Sequence, residues 1–365
     1  MSEPRTRPTA PQAETSTPPP PAVGRRPTSP LLSPTSPVVA ADGTLDSPGS
    51  SNVEWPAPHP ETADAPRPAP GAPPPWLPPG RIVPVAGRGE FFVRHHVHPD
   101  ADAPTVLLLH GWTASADLQF IAAYRALAES YSFVAIDHRG HGRGLRTLTE
   151  FALEDAADDA AAVVRALGID SVIAVGYSMG GPISMFLARR HPDLVAGLVE
   201  QATALEWRAT LRERLVWRLL PFVGFALRSW TQPKALRVAV ERMITDSSEL
   251  APYRAWFIAE TMRNDAASMV EAGRALSLYD ARDWARELGV PAGSLVATED
   301  RLVRPKKQRQ LATALDAIVV EVEMDHLGSI ERPDQFASAT VELVDAVASA
   351  RSTPAGASAS PSDST

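Results

Sequence analysis

The sequence predicts an α/β fold: a mostly parallel central sheet with helices on both faces, and a helical cap inserted late in the sheet. Three observations predict it. Short apolar runs alternate with helical segments from residue 81 onward, as buried parallel strands and their crossovers require. The alternation stops over residues 204–288, which read as helices alone, and then resumes. Polar residues, among them His110, Asp137, Ser178 and Glu200, gather where apolar runs end. In parallel sheets ligands bind beyond the carboxyl ends of the strands.

Taken in order, "RIVPV" and "EFFVRHHV" read as two strands around the glycine turn "AGRG". "TVLLLH", residues 105–110, is continuously apolar, in the style of a strand buried on both faces. A helix is expected over residues 116–130, then the strand "SFVAID", the loop "HRGHGRG" and a helix over 153–167. "SVIAVG" is the next strand, "MGGPISMFLARRH" the following helix, and "LVAGLVEQA" a further strand. After the helical interval come "AGSLVATED" as a strand, a helix over 306–315, the strand "AIVVEVEMD" and a closing helix over 333–350.

Composition sets the boundaries. Of 36 prolines, 23 lie in residues 1–80 among Ser, Thr, Ala and Gly, a mixture that cannot bury enough apolar surface to offset its ordering entropy. Residues 1–80 are therefore expected to be a disordered arm and 351–365 a disordered tail, leaving one folded domain over 81–350 with the cap at 204–288. The chain has no cysteine, which excludes disulfides, thiolate metal sites and a Cys nucleophile. A net charge of −8 argues against nucleic acid as a partner. No apolar run approaches the ~18 residues of a spanning helix, and the N-terminus lacks an apolar export core. A cytoplasmic location is expected, with export by an atypical signal around Arg25–Arg26 as the alternative.

The chemistry centres on Gly176-Tyr177-Ser178-Met179-Gly180, a G-x-S-x-G between a strand and a helix. Two readings fit: a nucleophilic serine on a strained turn, or an incidental serine in a glycine-rich one. A serine nucleophile needs a base, and the base an orienting acid. Among nine histidines, His59 lies in the arm; His95, His96 and His98 read as surface polarity, with a His96/His98 metal pair as the rarer alternative. His110 and His138 suit loop-shaping hydrogen bonds, His141 a glycine-rich loop and His191 a helix cap. His326 follows the last strand and is the expected base. Asp300, ending "SLVATED", is the expected acid; the adjacent Glu299 should point elsewhere, and Glu200 after the preceding strand is the alternative acid. Backbone amides of Trp112 and Met179 are the expected oxyanion donors. His110, Gly111, Gly176 and Gly180 shape the surrounding loops.

"LLLHGWTAS", "AIDHRGHGRG", "VGYSMGG", "TEDRLVRP" and "DHLGSIERPDQF" together resemble the α/β-hydrolase superfamily, specifically its Ser-nucleophile esterase, lipase and peroxidase-like members. The resemblance covers residues 81–350 and is weakest in 204–288. It implies an α/β-hydrolase fold and the order Ser178, Asp300, His326. Relatives that open epoxides or cleave carbon–halogen bonds carry Asp where this chain has Ser178, which counts against those activities. One departure is Asp325, where many members have Gly before the histidine.

The expected function is cleavage of a small or apolar carboxylic ester through an acyl-enzyme, with no cofactor and no metal. Acyl transfer, thioester or C–C hydrolysis and haloperoxidase-like chemistry on the same site are alternatives, as is a non-catalytic ligand-binding protein of the same fold. The cap holds five of eight tryptophans, which favours an apolar substrate. Leu211, Leu215, Leu219 and Val223 form a stripe interleaved with Arg208, Arg212 and Arg218, on a helix kinked near Pro221. The stripe is expected to pack on the core, with an acyl pocket or a weak membrane-surface contact as the sharper readings.

Overall fold

The structure, a computed structural model, describes residues 76–352 apart from 209, 220–232, 247 and 249. The arm up to residue 75, the tail beyond 352, and the expected kink at Pro221 with Val223 lie outside the described residues. The boundaries shift slightly: Gly80 already opens the first strand, and the last helix runs to Ser352.

Eight strands form one sheet: β1 (Gly80–Val85), β2 (Gly89–His96), β3 (Thr105–Leu109), β4 (Ser132–Ile136), β5 (Val172–Tyr177), β6 (Val195–Gln201), β7 (Ala292–Ala297) and β8 (Ile318–Val322). Their spatial order is β1-β2-β4-β3-β5-β6-β7-β8. β1 pairs antiparallel with β2 and β2 with β4; every other pairing is parallel. The apolar runs become the central strands: all six residues of β5 and of β7 are buried. β8 is an edge, with Ile318 and Val319 exposed.

The helices in chain order are α1 (Ala116–Ala128), α2 (Leu153–Ala166), α3 (Gly180–Arg190), α4 (Leu211–Arg218), α5 (Pro233–Met243), α6 (Arg254–Thr261), α7 (Ala266–Leu278), α8 (Pro305–Leu315), α9 (Gly328–Glu331) and α10 (Pro333–Ser352). α1 and α10 pack together on one face of the sheet, where Phe120, Tyr124, Phe336 and Leu343 are buried. α2, α3 and α8 cover the other face through residues such as Val163, Ile183 and Leu311. Helices α4–α7 lie between β6 and β7 and form the cap. Leu236, Val240, Phe257 and Ile258 of the cap pack against Leu118 and Ile121 of α1, making a third apolar cluster over the sheet ends. Among the described residues no helix is long and apolar enough to cross a membrane.

One expectation is corrected. The stripe Leu211, Leu215 and Leu219 does not pack on the core; these side chains are 81%, 59% and 47% exposed. The helix is rotated by Trp217, about 200° around from Leu215. Its ring packs against Trp112 and Trp207 and its indole N–H donates to the Trp207 carbonyl at 2.8 Å, leaving the leucine face outward.

Candidate active site

Ser178 follows β5 directly and sits in the left-handed region at φ 53°. That conformation is costly for a side-chain-bearing residue and survives only where its surroundings enforce it. Here they do. The Ser178 amide donates to the Gln201 carbonyl at 2.8 Å, and its own carbonyl accepts from the Thr203 hydroxyl at 2.7 Å and the Gly181 amide at 3.0 Å. Two glycines make the turn possible: a Cβ on Gly180 would collide with the Leu109 carbonyl, and one on Gly176 with the Gly180 backbone. The motif's glycine spacing is thus a steric requirement of the turn.

The structure brings together three residues that lie far apart in sequence. His326 Nε2 is 3.0 Å from Ser178 Oγ, and His326 Nδ1 is 2.8 Å from Asp300 Oδ2. Asp300 is 3% exposed. Its Oδ1 accepts from the Leu302 and Val303 amides at 2.8 and 2.7 Å, and its Oδ2 also accepts from Gln308 Nε2 at 2.9 Å. A carboxylate so surrounded by donors is acceptor-only. It therefore fixes the proton on His326 Nδ1 and turns the Nε2 lone pair toward the Ser178 hydroxyl.

Asp325 serves the loop backbone. Its Oδ1 accepts from the His326 and Arg301 amides at 2.7 and 3.1 Å, pinning the loop that carries the histidine. Burial disfavours its charge, but those amides and the Arg301 charge outweigh burial and hold the carboxyl below its ordinary range. Glu299 is exposed, as expected.

The alternative acid is not brought to the histidine. Glu200 is fully buried beneath α3, with Oε1 2.5 Å from Ser184 Oγ. The other histidines are also elsewhere. His110, His138 and His141 form a buried cluster with ring centres 4.2 to 6.4 Å apart. Burial pushes His138 down to about 3 and His141 to about 4, so neither accepts a proton at neutral pH. The His138 amide donates to His110 Nε2 at 3.0 Å, a loop-shaping bond of the expected kind. His191 caps α3 and pairs with Asp158 at 2.8 Å. His96 packs between Trp76 and Phe133, while His98 Nε2 lies 3.3 Å from the Glu129 carbonyl. Among the described residues no group of three or more His, Cys, Asp or Glu could hold a metal ion.

Gly111 places the loop after β3 against the serine: a Cβ there would lie 3.3 Å from Ser178 Cβ. Trp112 and Thr113 follow, Thr113 at φ 64°. The cap holds this loop from above. Trp112 Nε1 donates to the Met269 carbonyl at 2.7 Å, and Asn264 Nδ2 to the Thr113 carbonyl at 2.8 Å. Asn264 Oδ1 accepts from the Gly142 amide at 2.8 Å, tying in the neighbouring loop. Between cap and sheet, a cavity of about 290 Å³ opens onto Ser178 and His326. Leu236, Val240, Met243, Phe257, Met269 and Ile330 contribute apolar walls. Of its polar lining groups, Gln119 donates to Ser329 Oγ at 2.9 Å and Thr261 to the Phe257 carbonyl at 2.8 Å. The cavity therefore offers dispersion contacts more than hydrogen bonds.

This geometry agrees with the family comparison: the model described as the alpha/beta hydrolase fold matches residues 104–333, more than half of the chain. The chain belongs to the α/β-hydrolase fold family. As an α/β-hydrolase it is 38% identical over 99 residues to a bifunctional esterase/perhydrolase of Acinetobacter calcoaceticus, covering 27% of this chain and 36% of that protein. It is 33% identical over 104 residues to a 2-(acetamidomethylene)succinate hydrolase of Mesorhizobium japonicum, covering 28% and 37%. These matches span well under half of either relative's length. Among solved structures, an enol-lactonase from Burkholderia xenovorans superposes with TM-score 0.60 at 23% identity, covering 73% of this chain and all of that one. An esterase from Exiguobacterium antarcticum gives TM-score 0.63 at 19%, with the same coverage. At these identities the structural likeness is one of fold.

Several residues of the α/β-hydrolase site had no sequence signal. Gln119 and Asn264 are ordinary polar residues in helical or loop sequence, and only the fold brings them to the cavity. Trp112 of the loop lines the apolar cavity, whereas Trp284, one of the tryptophans of the cap interval, packs on Phe186 and under the Arg189 guanidinium instead.

Proposed function

We propose that the chain is a serine hydrolase that cleaves an uncharged carboxylic ester with an apolar acyl group through an acyl-enzyme. The observation that carries this reading is the hydrogen-bonded series Asp300–His326–Ser178 ending at an apolar cavity. Ser178 Oγ attacks the ester carbonyl as its proton passes to His326 Nε2; Asp300 steadies the imidazolium through Nδ1. The backbone amides of Trp112 and Met179 are the donors assigned to the oxyanion. Collapse of the tetrahedral intermediate breaks the ester C–O bond, and the alcohol takes the proton from Nε2. Water then attacks the acyl-enzyme, giving up a proton to His326, and Ser178 regains it as the acid leaves.

Apolar walls supply binding energy of roughly 25 cal/mol per Å² of acyl surface withdrawn from water. The esterase names among the relatives support the ester reading. The perhydrolase name raises peroxide as a second acceptor for the same acyl-enzyme, which product analysis with hydrogen peroxide against water would detect. The test of the main reading is Ser178→Ala. Turnover of p-nitrophenyl esters and labelling by a fluorophosphonate should both vanish while the circular dichroism spectrum is unchanged; retained turnover would sink the mechanism.

A further inference from the structure

Glu200 is a buried acid that the proposed mechanism does not use, although its position on β6 made it a candidate. Both Glu200 and Ser184 are fully buried. Ser184 Oγ lies 2.6 Å from the Gly181 carbonyl oxygen and 2.5 Å from Glu200 Oε1. A hydroxyl has one proton, and the Gly181 carbonyl has none to give. If Ser184 donates to Gly181, the proton on the short Ser184–Glu200 contact must come from Glu200. The second oxygen points the same way. Glu200 Oε2 is buried without a hydrogen-bond partner and rests against Gly181, where an added Cβ would fall 2.6 Å from it. An ionised carboxylate would leave that oxygen charged and unpaired, whereas the carbonyl oxygen of a neutral acid tolerates the site at far lower cost.

We propose that Glu200 is held as a neutral carboxylic acid and acts as a positioning residue, donating to Ser184 so that the Gly181 carbonyl and the first turn of α3, the helix that follows Ser178, stay fixed. Three contacts from the end of β6 and the loop after it then grip one turn: Gln201 holds the Ser178 amide, Thr203 its carbonyl, and Glu200, through Ser184, the carbonyl of Gly181. Burial raises the Glu200 carboxyl well above its ordinary range, and Tyr279, itself buried, is its titratable neighbour.

The proton on Glu200 is testable without turnover. The infrared difference spectrum of wild type against Glu200→Gln near pH 7 should contain a protonated-carboxyl band from wild type. Because holding a neutral acid costs stability above its free pKa, Glu200→Gln should also melt higher than wild type near pH 7. The gap should close as pH falls toward the ordinary value of 4.5. The positioning role rests on Ser178 being the nucleophile. It is read from the second-order rate of fluorophosphonate labelling at Ser178, which should fall roughly tenfold or more in Glu200→Ala, and likewise in Ser184→Ala should the first variant fail to fold. Glu200→Gln, whose amide can donate in the same place, should restore the rate. Absence of the band overturns the proton assignment. Labelling of both alanine variants at the wild-type rate overturns the positioning role. Failure of wild type to label instead removes the nucleophile reading and the positioning role with it, leaving the infrared result to stand alone.

Discussion

The side chain that most sharply sets the chemistry is Asp300, because its two oxygens are already assigned. Oδ1 takes two backbone amides and Oδ2 faces His326. In Asp300→Asn the amide oxygen must stay at the Oδ1 position to meet the Leu302 and Val303 N–H groups, so the NH2 is aimed at His326 Nδ1. The imidazole then switches tautomer, carries its proton on Nε2 and cannot accept from Ser178. A loss of about 10⁴-fold in kcat is expected with KM little changed, measured on p-nitrophenyl esters. A loss under about tenfold would mean that another group orients the histidine. The order Ser178, Asp300, His326 was legible in the sequence because each residue ends or follows an apolar run, and run ends map onto one edge of a parallel sheet. Between Asp300 and Glu200 the sequence favoured one without excluding the other. Only side-chain direction separates them, and that depends on what α3 places beside β6.

At the scale of elements, the central strands were legible because burial on both faces leaves an uninterrupted apolar record, and the α2, α3 and α8 helices because they alternate with those runs. The cap was legible only as a helical interval. Its rotation was not, since Trp217 outcompetes three leucines by finding both ring neighbours and a carbonyl acceptor. Two consequences follow for activity. Leu236 of α5 is 7% exposed and lines the cavity, so Leu236→Trp fills acyl space. The preferred p-nitrophenyl ester should shift to shorter chains, with acetate turnover kept within a few-fold and longer chains losing about tenfold or more. An unchanged chain-length profile would place the acyl group elsewhere. Asn264 acts differently, because it holds the Thr113 carbonyl beside the loop that carries Trp112. Asn264→Leu should lower kcat by about 10- to 100-fold with a smaller change in KM, and weaken an alkylboronate inhibitor in proportion. A rise in KM alone would make Asn264 a substrate contact instead.

The whole molecule is joined by charges as well as by apolar surface. Asp117 on α1 and Glu260 on α6 are 0% and 2% exposed, one under the cap and the other within it. Arg143, from the loop after β4, bridges them: Nη1 lies 3.3 Å from Asp117 Oδ2, Nη2 lies 2.5 Å from Glu260 Oε1, and its guanidinium covers the Phe92 ring at 4.8 Å. Arg94 adds a second cation on Asp117 at 2.7 Å, and Arg263 a second on Glu260 at 3.1 Å. None of this was visible in the sequence, where the "HRGHGRG" loop showed only glycines and cations. The bridge joins residues 117, 143 and 260, which only the closed fold makes neighbours. Its energetics are asymmetric: replacing a buried pair with apolar groups can be neutral, but removing one partner strands the other charge out of water. Arg143→Leu leaves Asp117 with Arg94 alone and Glu260 with Arg263 alone, so each charge loses one of its two cations and a charge-assisted hydrogen bond. The unfolding free energy should fall by about 1–3 kcal/mol, read from the urea midpoint at constant m. Adding Glu260→Gln to Arg143→Leu removes the carboxylate left with the more exposed cation and should recover part of that loss. If Arg143→Leu costs less than about 1 kcal/mol, the cap is held to the body by the Leu236–Phe257–Leu118 cluster and the loop hydrogen bonds, without help from this bridge. The double variant should then be no more stable than the single one.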